Sequence, residues 1–287
     1  MDIAVLGAGR VGIALAVLWS RAGHRIVAVA GGHETRERAA THLPGVPVLD
    51  PVEASEDAEV VVIATPDASI AEVCERVARA GSIRSGSSVA HVSGATGLDA
   101  LDAATSIGAT TFSIHPLQTI PSVEAGVDRI PGAGFAVTAT TEHGEGLGFR
   151  LAEDAGGRPF RLADDMKALY HSAGVFASNY LVTITAIAQQ IEAEAGVPDA
   201  GEYLATLQDA TLENIRRVGA AEALTGPAVR GDAATVERNL EALAERAPEA
   251  VSSYVALAEL TASIAAGSGR LPAEGRQAVQ EILTRWR

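Results

Sequence analysis

Four apolar residues, Ile3-Ala4-Val5-Leu6, run without interruption into Gly7-Ala8-Gly9-Arg10-Val11-Gly12, and an apolar-rich helical pattern from Ile13 to Arg21 follows at once. A Gly-x-Gly-x-x-Gly pattern by itself is weak. Between a strand and a helix, however, each glycine acquires a task. Gly7 makes the tight turn, Gly9 lets a pyrophosphate come close to the backbone, and Gly12 lets the helix lie against its strand. The unpaired N–H groups at the helix N-terminus, with their partial positive charge, then face the phosphates. Gly7, Ala8, Gly9, Arg10, Val11 and Gly12 are therefore candidate cofactor contacts. The plain alternative is an ordinary strand-turn-helix with incidental glycines.

Bulk properties fit that opening. A chain of 287 residues is long enough for about two domains, each with its own core. Because 47% of residues are hydrophobic and only 4% aromatic, the core must be built mainly from Ala, Val, Leu and Ile. A net charge of −14 offers no basic stripe that would release counterions from a phosphate backbone, which argues against nucleic acid. The single cysteine, Cys74, excludes an internal disulfide and a cysteine-rich metal site, and no metal is expected. A strand starting at Asp2 leaves no room for a signal peptide, and no apolar run approaches membrane length. The expectation is a soluble cytoplasmic protein without a membrane partner.

The second strand pattern, Arg25 to Ala30, ends where such a domain chooses its coenzyme. NAD-preferring sites place Asp or Glu there to accept from the ribose 2′-hydroxyl. Here the position holds Ala30-Gly31-Gly32. Arg36 and Arg38 follow, within reach of a 2′-phosphate, with His33 and Thr35 as minor candidates. A charge-assisted contact of about 1.5–3 kcal/mol would favour NADP roughly ten- to a hundredfold. The alternative is a pair of solvated helix charges beside Glu34 and Glu37.

Further strand patterns end in polar groups. Glu59 to Ala64 is a continuous apolar run, as a sheet covered on both faces requires, and it ends in Thr65-Pro66-Asp67. Ligands of open parallel sheets sit beyond the carboxyl ends of strands, so Thr65 and Pro66 border the expected cofactor. Ser87 to Val92 leads into Ser93-Gly94-Ala95-Thr96-Gly97, where glycines let backbone N–H groups approach an anion and Ser93 adds a hydroxyl. His91, inside that strand, reads as a core histidine. Thr110 to Ile114 leads into His115-Pro116-Leu117-Gln118-Thr119, which puts the His115 ring at the same sheet edge, either on the ligand or bracing its loop.

Two more strands, Gly134–Thr138 and Arg158–Leu162, with a helix from about Glu145 to Ala155 between them, complete the sheet. After Leu162 every pattern is helical: Asp164–Ala195, Gly201–Val218, Asp232–Arg246, Glu249–Ala266 and Ala273–Trp286. The expected architecture is α/β, a Rossmann-type parallel sheet domain over residues 1–163 followed by an all-α domain over 164–287.

Asp164 and Asp165 suit the first turn of the long helix, whereas Lys167 opposes its dipole and so answers to something other than helix stability. At about 100° per residue, Lys167, His171, Gly174 and Ser178 share one face, which presents an ammonium, an imidazole, a gap and a hydroxyl. A surface lysine and a core histidine are the plain alternative.

The blocks Thr65–Asp67, His91–Gly97, Ser113–Thr119, Tyr170–Tyr180 and Leu224–Pro227 resemble a family of bacterial NADP-binding proteins that join a Rossmann-like domain to a helical domain of unknown function. The likeness spans nearly the whole chain, and His115-Pro116-Leu117-Gln118-Thr119 is its most specific part. More distantly, the arrangement is similar to ketopantoate reductases, β-hydroxyacid dehydrogenases and pyrroline-5-carboxylate reductases. That kinship implies that Lys167 donates to the substrate oxygen. His171 stands where those enzymes usually have asparagine, which leaves the proton donor open between Lys167 and His171. The Ser93-Gly94 turn resembles a loop that holds a substrate carboxylate.

Charge growing on oxygen after hydride transfer needs a positioned donor, and one general acid contributes roughly 10²–10⁴-fold. Lys167 and His171 are the candidate catalytic residues. Ser93, Gly94, His115 and Ser178 are candidate substrate contacts, with Arg230 as a carboxylate clamp. The expected function is an NADPH-dependent reductase of a small carboxylate-bearing carbonyl compound, with ketopantoate leading. The rivals are a cyclic-imine reductase of the pyrroline-5-carboxylate type and a non-catalytic NADP-binding sensor or partner module. The resemblance implies a homodimer paired through helical second domains.

Overall fold

The computed structural model describes residues 1–84 and 86–287. Two compact units divide the chain, Met1–Ser178 and Asn179–Arg287.

The first unit is built on a seven-stranded sheet: β1 (Asp2–Leu6), β2 (Arg25–Ala30), β3 (Val60–Ile63), β4 (Ser88–His91), β5 (Thr110–Pro116), β6 (Gly134–Ala139) and β7 (Arg158–Arg161). Its order is β2-β1-β3-β4-β5-β6-β7. Pairing is parallel from β2 to β5, reverses between β5 and β6, and is parallel again between β6 and β7. Pro159 sits in the edge strand β7, where its missing N–H costs no ladder bond.

Helices cover both faces: α1 (Arg10–Arg21), α2 (Thr35–His42), α3 (Pro51–Ser55), α4 (Ile70–Arg79), α5 (Asp102–Ser106), α6 (Val123–Arg129), α7 (Glu142–Asp154) and α8 (Lys167–Gly174). Side chains alternate across a strand, so each buried strand feeds two cores. Ile3, Val5, Val60 and Val62 meet Ile13 and Trp19 of α1 and Leu151 of α7 on one face. Ala4, Leu6, Val61 and Ile63 meet Ile70, Cys74 and Val77 of α4 on the other. Cys74 is thus a packing residue. The Trp19 indole N–H donates to the Leu151 carbonyl at 2.8 Å and satisfies the one polar atom of that large side chain.

The second unit is helical: α9 (Tyr180–Glu194), α10 (Ala200–Val218), α11 (Ala220–Ala223), α12 (Pro227–Arg230), α13 (Ala233–Arg246), α14 (Val251–Gly267) and α15 (Ala273–Arg285). Its core joins Val229, Val236, Leu240, Val255, Ala262, Val279 and Leu283. Asp232 caps α13 by accepting from the Thr235 N–H. The expectation that no apolar run approaches membrane length does not hold. The helical stretch Pro248–Gly267 is, in length and composition, apolar enough to cross a membrane. Small residues hide this in a scan for long aliphatic runs, and Val255, Ala258, Ala262 and Ala265 on one face are buried in the unit's core.

The first unit extends past residue 163, where the strand patterns cease, and takes in α8. The anchor is Lys167, whose ammonium donates to Ser93 and Ser113 at the sheet.

Candidate functional site

The carboxyl ends of β1, β3, β4 and β5 lie side by side, and each carries one part of the candidate site. At β1, Gly7 has φ +100° and a Cβ there would overlap the Ala64–Thr65 peptide. A Cβ on Gly12 would lie 2.5 Å from the Gly7 carbonyl oxygen. Both glycines are therefore demanded by the protein's own packing. Gly9 is different. A Cβ there meets only the Gly7 oxygen, at 4.0 Å, so the protein itself leaves that space open. Gly9 is also the N-cap of α1 and offers no side chain to the first N–H groups of the helix, which remain free for an anion. Arg10 turns away to donate to the Pro121 carbonyl, and Val11 is half-buried.

Past β2 no carboxylate replaces Ala30-Gly31-Gly32. The two arginines differ in placement. Arg38 donates to the Ala8 carbonyl at 3.0 Å and to Glu34 at 2.6 Å, so it braces the glycine turn. Arg36 is exposed, with no ion pair or hydrogen bond among the described residues. At the end of β3, the Thr65 hydroxyl oxygen is buried without a hydrogen-bond partner, and Pro66 is exposed. An orphaned buried hydroxyl, an open glycine and uncapped N–H groups at one sheet edge fit a phosphate-bearing coenzyme.

At β4 and β5 the geometry is side-chain built. Ser93 is buried, and its hydroxyl donates to Asp67 at 2.8 Å while accepting from the Thr96 N–H at 3.0 Å and the Ala95 N–H at 3.2 Å. The hydroxyl thus organises its own loop, because a short side chain after a strand finds local donors first. A Cβ on Gly94 would come within 2.7 Å of the His115 ring, so Gly94 is the floor on which that imidazole rests.

Lys167 is 1% exposed. Its ammonium donates to the Ser93 carbonyl at 3.1 Å and the Ser113 hydroxyl at 2.8 Å, which ties α8 to the loop after β4 and the middle of β5. Burial pulls its pKa down to about 8, partly countered by Asp164 and Asp67. At neutral pH it remains mostly charged. The hint that Lys167 does not serve helix stability thus has a physical answer in the interior of the first unit.

His115 shares a hydrogen bond of 3.0 Å between its Nδ1 and the Tyr170 hydroxyl. The rings stand edge to face, 5.6 Å apart. Burial first, then the Lys167 charge, push the His115 pKa down to about 4. Burial raises the Tyr170 phenol to about 12. His91 is fully buried, its Nδ1 accepting from the Ser93 N–H and its Nε2 unpaired; burial, then Lys167, hold it at about 3. It is a core histidine, as expected, but an incompletely satisfied one.

His171 is exposed, with its ring 6.3 Å from that of His115. The face expected to continue to Ser178 is interrupted, because Val175–Asn179 forms a π-helical turn. A wider turn rotates Ser178 relative to Lys167, and such turns occur often at functional sites. Arg230 is exposed at the end of α12 in the second unit. Ser113, Tyr170 and Asp67 were not singled out from sequence. One signal existed for Ser113: it lies two residues before His115 in β5 and so shares its face.

Residues 1–116 match the model of a Rossmann-like domain, and residues 133–261 match a domain of unknown function (DUF2520). Comparison with curated proteins found no match. Among solved structures, a Bacteroides fragilis protein provisionally designated an NADP oxidoreductase is similar, with a TM-score of 0.77 and 22% identity over 91% of this chain and 98% of its own. A Thermotoga maritima protein aligns with a TM-score of 0.71 and 21% identity over 93% and 99% of the two chains. An imine reductase from Myxococcus stipitatus in complex with NADP+ aligns with a TM-score of 0.65 and 17% identity over 100% and 99%. The chain has this shared fold, a Rossmann-type α/β domain followed by a helical domain.

Proposed function

We propose that the protein is an NADPH-dependent reductase of a polarised double bond in a small molecule. The observation that carries this reading is the open Gly9 at the uncapped start of α1, between two glycines that packing demands. Gly7 to Gly12 and the Thr65 hydroxyl would hold the coenzyme, and Arg36 would meet a 2′-phosphate. When bound, the reduced nicotinamide supplies a hydride.

Two acceptors have support. Full-length likeness to an imine reductase that binds NADP+ favours a cyclic imine. The buried Lys167 ammonium, whose charge is felt at His115, favours negative charge growing on a carbonyl oxygen and opposes a cationic iminium, which supports a 2-oxo acid such as ketopantoate. In either case Lys167 contributes fixed positive charge, and His171 stands at the exposed rim. Ser178 is a proposed contact for a substrate carboxylate. Exposed Leu181, Val182, Tyr203 and Leu207 on α9 and α10 support the reading of a homodimer.

The test is purified protein with NADPH and a panel of cyclic imines and 2-oxo acids, ketopantoate included, followed by loss of coenzyme absorbance. Turnover of imines alone selects the first acceptor, and turnover of 2-oxo acids alone selects the second. Tight coenzyme binding with no turnover across the panel would replace the enzyme with a binding module.

A further inference from the structure

We infer that Tyr170, held in place by His115, gives the proton to the heteroatom of the reduced bond. The inference rests on the reductase reading above and assigns the proton donor within it.

The two donors suggested by sequence are poorly placed. Lys167 is 1% exposed, and two of its three N–H directions are taken by Ser93 and Ser113. His171 is exposed and has no hydrogen bond among the described residues to hold it. Tyr170 is half-buried and projects from α8 to the end of β5, where its hydroxyl meets His115 Nδ1 at 3.0 Å. The imidazole itself cannot drift, because Gly94 lies against its face and Tyr170 against its edge. His115 stays neutral because its protonation is opposed by burial and by Lys167. With the proton on Nδ1, the ring donates to the phenolic oxygen and leaves the phenolic O–H free to point outward.

The carbon of the C=N or C=O bond takes the hydride that the reduced nicotinamide coenzyme supplies. The π pair moves onto nitrogen or oxygen, which takes the Tyr170 proton as the phenolic O–H bond breaks. The tyrosinate left behind accepts the His115 Nδ1–H until a solvent proton restores it. A phenol near the upper end of its range is still a far stronger acid than the conjugate acid of an alkoxide or amide anion, so the transfer runs downhill. Tyr170 is the catalytic residue, and His115 is a positioning residue.

The experiment uses the full chain. In Tyr170→Phe, turnover of whichever panel substrate the wild type reduces should fall at least a hundredfold, with the NADPH Kd from coenzyme fluorescence within threefold of wild type. His115→Asn, which keeps an N–H near the Nδ1 position, should retain at least tenfold more activity than His115→Ala. Nitrogen NMR of the wild-type protein should show the Nδ1–H tautomer at His115, with its resonance shifted in Tyr170→Phe. Activity of Tyr170→Phe within fivefold of wild type, or an Nε2–H tautomer, would overturn the inference and leave the reductase reading intact. A wild type that binds NADPH and reduces nothing would remove both.

Discussion

The β1–α1 turn and the β4–β5 end of the same sheet edge are built in opposite ways. The first is almost all backbone: Gly7 and Gly12 are fixed by contacts with Ala64, Thr65 and Val5, and Gly9 leaves space unfilled. The second is almost all side chain, with Lys167, Ser113, Ser93, His115 and Tyr170 joined by hydrogen bonds that cross 54 to 74 residues of sequence. A site made of backbone needs only local spacing, whereas a site made of side chains needs the whole fold in place. The former should be brittle to a single methyl group, and the latter to pH.

The sharpest test of that contrast is to add one methyl group at Gly7 and at Gly9. Gly7→Ala must relieve both an unfavourable φ and an overlap with backbone, and should cost on the order of 4 kcal/mol of stability in urea unfolding. Gly9→Ala should leave stability within about 0.5 kcal/mol yet weaken NADPH binding at least tenfold, if the open space beside Gly9 takes the coenzyme phosphate as proposed. Equal stability losses at both positions would erase the distinction between a packed and a reserved glycine.

The side-chain region should reveal itself in acid. His91 titrates near 3 in the folded chain against about 6.5 when unfolded, so the unfolded state binds the extra proton first as pH falls. Stability is therefore full above about 6.5 and should be lost on the way down, by about 3 kcal/mol at pH 4 from this residue alone. His91→Asn keeps an acceptor for the Ser93 N–H but does not titrate. Its pH–stability curve should be flatter by that amount, and a parallel curve would mean that His91 is solvated.

Lys167 should act with the same sign in an alkaline window. Its pKa is lowered to about 8, so between about 8 and 10.5 the unfolded state holds a proton that the folded state has released, and stability rises with pH. Relative to Lys167→Met, the wild type should gain about 2 kcal/mol from pH 8 to 9.5. A constant difference would show that the ammonium is not paying for burial.

These contrasts also explain what could be read before the fold was known. The strand-turn-helix at the start, the apolar runs of β1 and β3, the missing acid after β2 and the Asp232 cap are local patterns, and all were legible. Hydrophobic alternation carries no strand direction, so the reversal at β6 was not. Uniform α periodicity cannot announce the π turn at Val175–Asn179, and so the face drawn from Lys167 to Ser178 was too regular. Lys167 stood out from the helix dipole alone, but its partners Ser93 and Ser113 lie on strands far away in the chain. The Tyr170–His115 pair needed α8 packed on β5 before it existed at all.

The smallest expected effect separates the two arginines after β2, which sequence treats alike. Arg38 is spent on the Ala8 carbonyl and Glu34, so Arg38→Ala should loosen the glycine turn and weaken NADPH and NADH by the same factor. Arg36 is exposed and has no partner among the described residues, so its guanidinium can meet a 2′-phosphate without breaking another bond. Arg36→Ala should lower the NADPH-to-NADH affinity ratio by about tenfold, the equivalent of one exposed charge-assisted contact, and leave NADH binding unchanged. Fluorescence titration with both coenzymes measures the ratio directly. A ratio that moves with Arg38 and not with Arg36 would exchange their roles and make the brace of the turn the selector of the coenzyme.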